Sequence, residues 1–285
     1  MTQCPANIAI LLATYNGEQY LQEQIDSLFT QTFLDWHLYV HDDGSKDNTV
    51  NIVKDYSEKF PHKVTLMDYP PQGGACKNFL SMLEHVDSKY YMFCDQDDIW
   101  LPNKIEIEHR EILRNEIIAP EIPIMINTDL TIIDEKQNVL HNSLRSYQNI
   151  YPSFIKQFKD LSALSSCTGS TMLFNKKAKD SVKHPYQNAL MHDQWVALCV
   201  LAAKGKIIYM PESTVLYRQH DNNVLGAMEG PRFVWMEKIK NFRYITRVLR
   251  NHYKQMNSIA RVSWFDFIVA KIRYRRYINS HTTKK

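Results

Sequence analysis

The apolar positions of this chain fall into two rhythms. Ile8 to Ala13 is a continuous β-prone run ending at Thr14-Tyr15-Asn16-Gly17, and a run bounded by a turn reads as a buried strand. Tyr20, Leu21, Gln24, Ile25, Leu28 and Phe29 then repeat at three- and four-residue spacing, which predicts a helix. Trp36 to His41 predicts a second strand ending in Asp42-Asp43-Gly44-Ser45, and Asp47 or Asn48 caps a helix carrying Val50, Ile52, Val53 and Tyr56. Val64 to Met67, the Pro- and Gly-rich loop Tyr69 to Gly74, a helix over Lys77 to Val86 and the strand Tyr90 to Phe93 follow. Beyond them the pattern predicts a strand from Ile124 to Leu130 continuing to Ile133. It then predicts a strand within Cys167 to Phe174, a helix Val196 to Ala203 opened by His192-Asp193-Gln194-Trp195, and two strand-like runs, Lys206 to Met210 and Leu216 to Asn223. Residues 141–165 are polar, aromatic and poorly periodic, and read as a mobile or accessory segment.

Strands alternating with helices at this spacing predict an α/β fold, a mostly parallel sheet with helices on both faces. Ligands of such sheets collect at the carboxyl ends of the strands. That rule places Thr14 to Asn16, Asp42-Asp43 and Asp95-Gln96-Asp97-Asp98 on one rim. Carboxylates as dense as Asp95, Asp97 and Asp98 repel one another, so they are either solvated in a turn or held by a cation. No G-x-G-x-x-G follows the first strand and no G-x-x-x-x-G-K-[ST] occurs, which argues against dinucleotide and P-loop chemistry.

Composition narrows the class. The 285 residues are 44% hydrophobic and 23% charged, the balance of a globular protein and not of a disordered or fibrous one. No apolar run nears the roughly 20 residues that span a bilayer, and the N-terminus has no basic region followed by a signal-length apolar run, so the expected location is cytoplasmic. Cys4, Cys76, Cys94, Cys167 and Cys199 are odd in number and contain no C-x-x-C pair, which fits reduced thiols. The net charge of +3 hides an asymmetry: from Arg232 to Lys285, fourteen Arg and Lys stand against Glu237 and Asp266. Nucleic acid, an anionic membrane surface or an acidic partner would each suit this tail.

Five segments together carry a resemblance: L-L-A-T-Y-N-G (11–17), V-H-D-D-G-S-K-D-N-T (40–49), F-C-D-Q-D-D-I-W-L-P-N-K (93–104), G-S-T-M-L-F (169–174) with H-D-Q-W (192–195), and Y-R-Q-H-D-N-N (217–223). In this order, over residues 8–225, the chain resembles the inverting nucleotide-sugar glycosyltransferases of glycosyltransferase family two, in particular the bacterial polysaccharide branch that includes rhamnosyltransferases. The resemblance implies a GT-A (Rossmann-like) mixed, mostly parallel sheet over residues 1–228, with a nucleotide-binding half, 1–104, and an acceptor half, 105–228. It implies that Thr14, Tyr15 and Asn16 contact base and ribose, that Asp43 accepts from the N3–H of uracil or thymine, and that Lys77 and Asn78 reach ribose or phosphate. Asp95 would touch ribose, Asp97 would hold Mn²⁺ or Mg²⁺, with His220 as a further ligand, and Arg218 would pair with the diphosphate. Asp98 would support the turn before Trp100. Asp193 would be the catalytic base, with Gly169, Ser170 and Trp195 on the acceptor side; many family members carry Glu where His192 stands.

The implied reaction moves a sugar from a dTDP or UDP donor to a glycan or lipid-linked glycan acceptor. A non-catalytic nucleotide- or nucleic-acid-binding protein is the competing reading, with nucleic acid disfavoured because the tail's aromatics follow helical spacing. Residues 229–285 predict a basic tail of two or more amphipathic helices. Its apolar face would dock on the inner leaflet, pack on the catalytic domain or join a second subunit as a homodimer, and amphipathicity alone does not separate these.

Overall fold

The computed structural model describes residues 7–164, 166–220 and 242–282. Cys4, Asp221 to Asn223, Phe233 and Trp235 lie outside the described residues. The sheet runs β3-β2-β1-β4-β8-β6-β9-β5, with β7 paired to β6. Its strands are β1 (Ile8–Thr14), β2 (Trp36–Asp42), β3 (Val64–Leu66), β4 (Tyr90–Cys94), β5 (Ile99–Trp100), β6 (Ile124–Ile133), β7 (Val139–His141), β8 (Met172–Asn175) and β9 (Lys206–Arg218). The first four strands are mutually parallel, as the alternation with helices predicts. The second half is mixed: β8 runs antiparallel to both β4 and β6, β9 is parallel to β6, and β5 is antiparallel to β9.

Side-chain alternation along the strands builds a core on each face of the sheet. Ala9, Leu11, Tyr91 and Phe93 point to one face, and Ile8, Ile10, Leu12, Tyr90 and Met92 to the other. The helices α1 (Leu21–Phe29), α2 (Thr49–Lys59) and α4 (Lys104–Ile118) cover the second face through residues such as Ile25, Val53 and Ile112. The helices α3 (Ala75–His85) and α7 (His192–Ala202) cover the first through Phe79, Leu83, Val196 and Leu198. Neither Asp47 nor Asn48 caps the α2 backbone in the usual way. Asn48 stands at the cap without a side-chain bond, while Asp47 accepts from Thr49 N and Thr49 Oγ1.

Three expectations change. Lys206 to Met210 and Leu216 to Arg218, read as parts of two strand-like runs, lie in one strand, β9, whose register against β6 shifts near Asn127 and Asp129 and so bends it. The segment 141–165, read as mobile or accessory, holds regular structure: α5 (Leu144–Tyr147) and two 3₁₀ turns, Pro152–Phe154 and Phe158–Ser162. Arg145 ties it down by donating to the carbonyls of Asn127, Thr128 and Met210, which polarity and weak periodicity conceal. The Cys167–Phe174 stretch begins as a 3₁₀ turn, Gly169–Thr171, and only then becomes β8. The short helix α6 (Lys176–Asp180) follows it.

The tail forms α8 (Phe242–Ile259) and α9 (Trp264–Thr282). Met256, Ile259, Val262 and Phe267 belong to the same buried cluster as Leu198 of α7, so the tail's apolar side packs on the body of the protein. Buried Gln255 of α8 accepts from Leu190 N at 2.7 Å, just ahead of α7. Among the described residues, no helix is long and apolar enough to cross a membrane.

Candidate active site

The loops after β1, β2 and β4 are stitched together by their own polar groups. Gln96 accepts from Tyr15 N at 2.9 Å and donates to Tyr15 O at 3.1 Å. A Cβ at Gly17 would stand 2.3 Å from Gln96 Oε1, so the latch requires glycine there. Asn16 adopts φ 46°, a left-handed conformation that Asn tolerates, and its Oδ1 accepts from Lys46 N. Thr14 Oγ1 donates to Asp42, which also accepts from Gly44 N, Ser45 N and Ser45 Oγ. Asp42 is therefore a turn-building residue. Of Thr14, Tyr15 and Asn16, Tyr15 is the one presenting a large exposed side chain, while Thr14 is buried.

Asp43 organises the glycine loop. Its Oδ1 accepts from Gln72 N and Gly73 N, and its Oδ2 from Gly74 N. Gly73 and Gly74 have φ of 78° and 122°, which other residues adopt at a cost. Lys77 is exposed at the start of α3, beside this loop. Asn78 is not at the rim: it is 1% exposed, its Oδ1 bonds the His41 ring and its amide donates to His41 O. One residue of offset along a helix turns a side chain by about 100°, and here that offset separates solvent from core.

The acidic stretch divides its labour. Asp95 has an enclosed carboxyl, and desolvation together with the charges of Asp97 and Asp193 raises its pKa to about 7. Asp97 faces His220, with Oδ2 2.9 Å from the imidazole Nε2, and Tyr20 packs against that ring. Asp98 is fully buried. Burial and its acidic neighbours push its carboxyl well above the usual range, and Oδ1 accepts from Arg218 N at 3.3 Å. Asp98 thus fastens the end of β9 beneath the turn.

Arg218, which the resemblance pairs with the diphosphate, is held by groups of the protein. It is 1% exposed, with Nε donating to Asp97 O, one terminal nitrogen to Glu135 O and the other to the Glu23 carboxylate, and its guanidinium lies over the Tyr20 ring. Five donors in a planar fork suit such multi-point anchoring as well as they suit phosphate, so residue type alone misplaces it. Among the described residues no three His, Cys, Asp or Glu side chains converge on a common point. Asp97 and His220 fit a two-ligand cation site, since a carboxylate oxygen and an imidazole nitrogen face each other there, a pair that suits Mn²⁺ better than Mg²⁺.

Asp193 lies in the first turn of α7, one residue past its start, and Met191 occupies the cap. Its Oδ1 accepts from Gln194 N at 2.6 Å. Burial raises its pKa to about 6, against the opposing pull of the backbone N–H groups of Gln194 and Gly169. The charge of Asp193 helps to raise the pKa of both Asp95 and the Cys76 thiol, so the carboxyl lies near the acidic stretch and near the start of α3. A largely apolar cleft of about 820 Å³ is bounded by Gly74 to Lys77 and by Tyr186, Leu190 and Met191, the helix cap that precedes His192 and Asp193.

His192 holds α7 in place as an apolar wedge. Its ring lies between Phe79 and Phe93, and burial depresses its pKa to about 3, so it is neutral. A Cβ on Gly169 would come within 2.6 Å of its Nε2, which gives Gly169 a packing role under the helix. Ser170 is fully buried, and Trp195 is fully buried with Nε1 donating to Lys183 O. Both are core residues here, where the resemblance implies the acceptor side. Gln96, the Asp43 grip on the glycine loop and the 184–191 wall of the cleft escape sequence reasoning. The only written signals for them are a Gln inside the acidic run and paired glycines after prolines.

A mixed sheet flanked by helices, with acidic strand ends and the head of a helix sharing one rim, defines the GT-A class of glycosyltransferases. The chain belongs to Glycosyl transferase family 2, whose pattern residues 9–182 match. It is 29% identical over 237 residues to the dTDP-rhamnosyl transferase RfbG of Shigella flexneri, covering 76% of this chain and 74% of that one. It is 32% identical over 110 residues to the Escherichia coli glucosyltransferase WfgD, covering 39% of this chain and 42% of that one. Among solved structures, S. aureus TarS 1-349 in complex with UDP superposes with a TM-score of 0.58 at 15% identity, covering 98% of this chain and 92% of that chain. The chain is a glycosyltransferase, and the reading as a non-catalytic binder falls.

Proposed function

We propose that the chain transfers a sugar from a dTDP or UDP donor, dTDP-rhamnose or a UDP-hexose, to a glycan or lipid-linked glycan in bacterial surface polysaccharide synthesis. The names of two relatives support the donor and acceptor classes: RfbG is a dTDP-rhamnosyl transferase, and WfgD is a UDP-Glc:alpha-D-GlcNAc-diphosphoundecaprenol beta-1,3-glucosyltransferase. TarS structures hold UDP-GlcNAc and UDP. The observation that supports the mechanism is the enclosed Asp193 carboxyl in the first turn of α7, close enough to Asp95 to raise its pKa, with Met191 just ahead of it in the wall of the apolar cleft.

An acceptor seated in that cleft presents its hydroxyl to Asp193. The hydroxyl oxygen attacks the anomeric carbon opposite the diphosphate, its proton passes to the Asp193 carboxylate, and the bond to the diphosphate oxygen breaks with the electron pair leaving on phosphate. The configuration inverts. A pKa of about 6 leaves the base ionised at neutral pH yet basic enough to accept a proton. Asp95 bonds ribose, Tyr15 packs on the base and Lys77 reaches phosphate. A carboxylate has about four acceptor positions, and three of those on Asp43 are taken by the glycine loop. The remaining one matches the single N3–H of uracil or thymine. A divalent cation held by Asp97 and His220 would neutralise charge building on the departing diphosphate.

Replacing Asp193 by Asn tests the reading. Transfer should fall roughly a hundredfold to ten-thousandfold, the range of general base catalysis, while donor binding measured by calorimetry stays intact. Undiminished transfer would reject it. Hydrolysis assays with dTDP-rhamnose, UDP-galactose, UDP-glucose and UDP-N-acetylglucosamine identify the donor.

A further inference from the structure

The outer side of the tail is unlike the rest of the surface. From Phe242 to Thr282 the chain carries nine Arg and Lys and a single carboxylate, Asp266, which is paired with Lys159. On α8, which has no acidic residue, the exposed Arg247, Arg250 and Lys254 recur at intervals of three and four and so form one stripe. That stripe edges a cleft of about 950 Å³ whose floor includes Leu249, Tyr253 and Trp264. At its end Trp264 is 47% exposed and Phe265 is 76% exposed. The buried side of the same helices is already spent on the core through Met256 and Phe267.

We infer that this face docks on an anionic phospholipid surface, with Arg247, Arg250 and Lys254 on the headgroups and Trp264 and Phe265 at the interfacial level. Charge complementarity selects the occupant. A bilayer rich in anionic lipid attracts basic side chains and accepts aromatic ones at its interface. A second copy of the chain would bring the same cations against these and be repelled. Single-stranded nucleic acid would satisfy the charges but draws on several aromatic faces for successive bases, of which Phe265 offers one. Trp264 stacks on Phe267 and meets Tyr253 edge-on at 5.0 Å, so its ring is engaged. With no membrane-crossing helix among the described residues, attachment through these residues is peripheral. The inference goes beyond the transfer reaction and does not depend on it.

Cosedimentation of the full chain with mixed phosphatidylglycerol and phosphatidylcholine vesicles, against pure phosphatidylcholine, tests it. Wild type should partition onto the anionic vesicles and be released by high salt. Combined Arg247→Glu, Arg250→Glu and Lys254→Glu should weaken binding by roughly tenfold or more, given the attraction per basic residue at such surfaces. Phe265→Ser should weaken it severalfold. Donor hydrolysis by the charge-reversed variant should match wild type, which separates failure of docking from failure of the transferase reading. Equal binding to both vesicle types, full binding by both variants, retention on single-stranded DNA with no vesicle binding, or a wild-type dimer that the charge reversal dissociates would each overturn the inference. Should the triple variant misfold, the salt dependence of wild type and the Phe265→Ser result decide.

Discussion

The Asp193 carboxyl is subject to two opposed influences, enclosure and the backbone donors of a helix start. The sequence shows the helix start and the neighbouring Trp195, but not the depth of burial, because His192, Phe79 and Phe93 come together only in three dimensions. Enclosure prevails and lifts the pKa from 3.8 to about 6. A protonated carboxyl cannot take the acceptor's proton, so transfer should decline as pH falls through about 6 and level off above it, a limb that a pH–rate profile with saturating substrates would show. The linkage has the opposite sign for folding. A carboxylate whose folded pKa is raised costs stability once ionised, on the order of 3 kcal/mol for this shift at neutral pH. Asp193→Asn should thus melt no lower than wild type at neutral pH while losing activity, which distinguishes lost chemistry from lost fold. At Arg218 and Asn78 the residue types were right for phosphate and ribose, and burial alone reassigns them to structure.

Among the elements, α4 shows what periodicity leaves out. It reads as a charged helix after Pro102, yet Lys104 and Glu108 are fully buried and bonded at 2.5 Å. Glu108 also accepts from Thr128 and Thr214, at 3.2 Å each, and Lys104 lies over the Trp100 ring. The helix thereby clamps β6 and β9 from beneath, and β9 ends at Arg218 under the acidic turn. Glu108→Ala would leave a buried ammonium without its partner and should cost about 3–5 kcal/mol, measurable by urea unfolding. The four parallel strands were legible because each is rich in apolar and aromatic residues and is followed by a turn and a helix. The antiparallel β8 and the bend in β9 were not, since strand direction and register shifts leave no mark in hydrophobic pattern.

For the molecule as a whole, the tail is part of the core. Phe267 is fully buried in the cluster that contains α7, so Phe267→Ala should destabilise the entire fold by roughly 3–5 kcal/mol, seen as one cooperative shift in thermal melting. Amphipathic spacing announced the two helices but could not say which surface their apolar sides would meet. The bond from Leu190 N to Gln255 has a mechanical meaning. Leu190 is part of the cleft wall and Gln255 is on the helix that bears the basic stripe. Whatever presses on the outside of α8 leans, through one buried amide, on the wall of the cleft. The basic stripe and the cleft are therefore mechanically coupled.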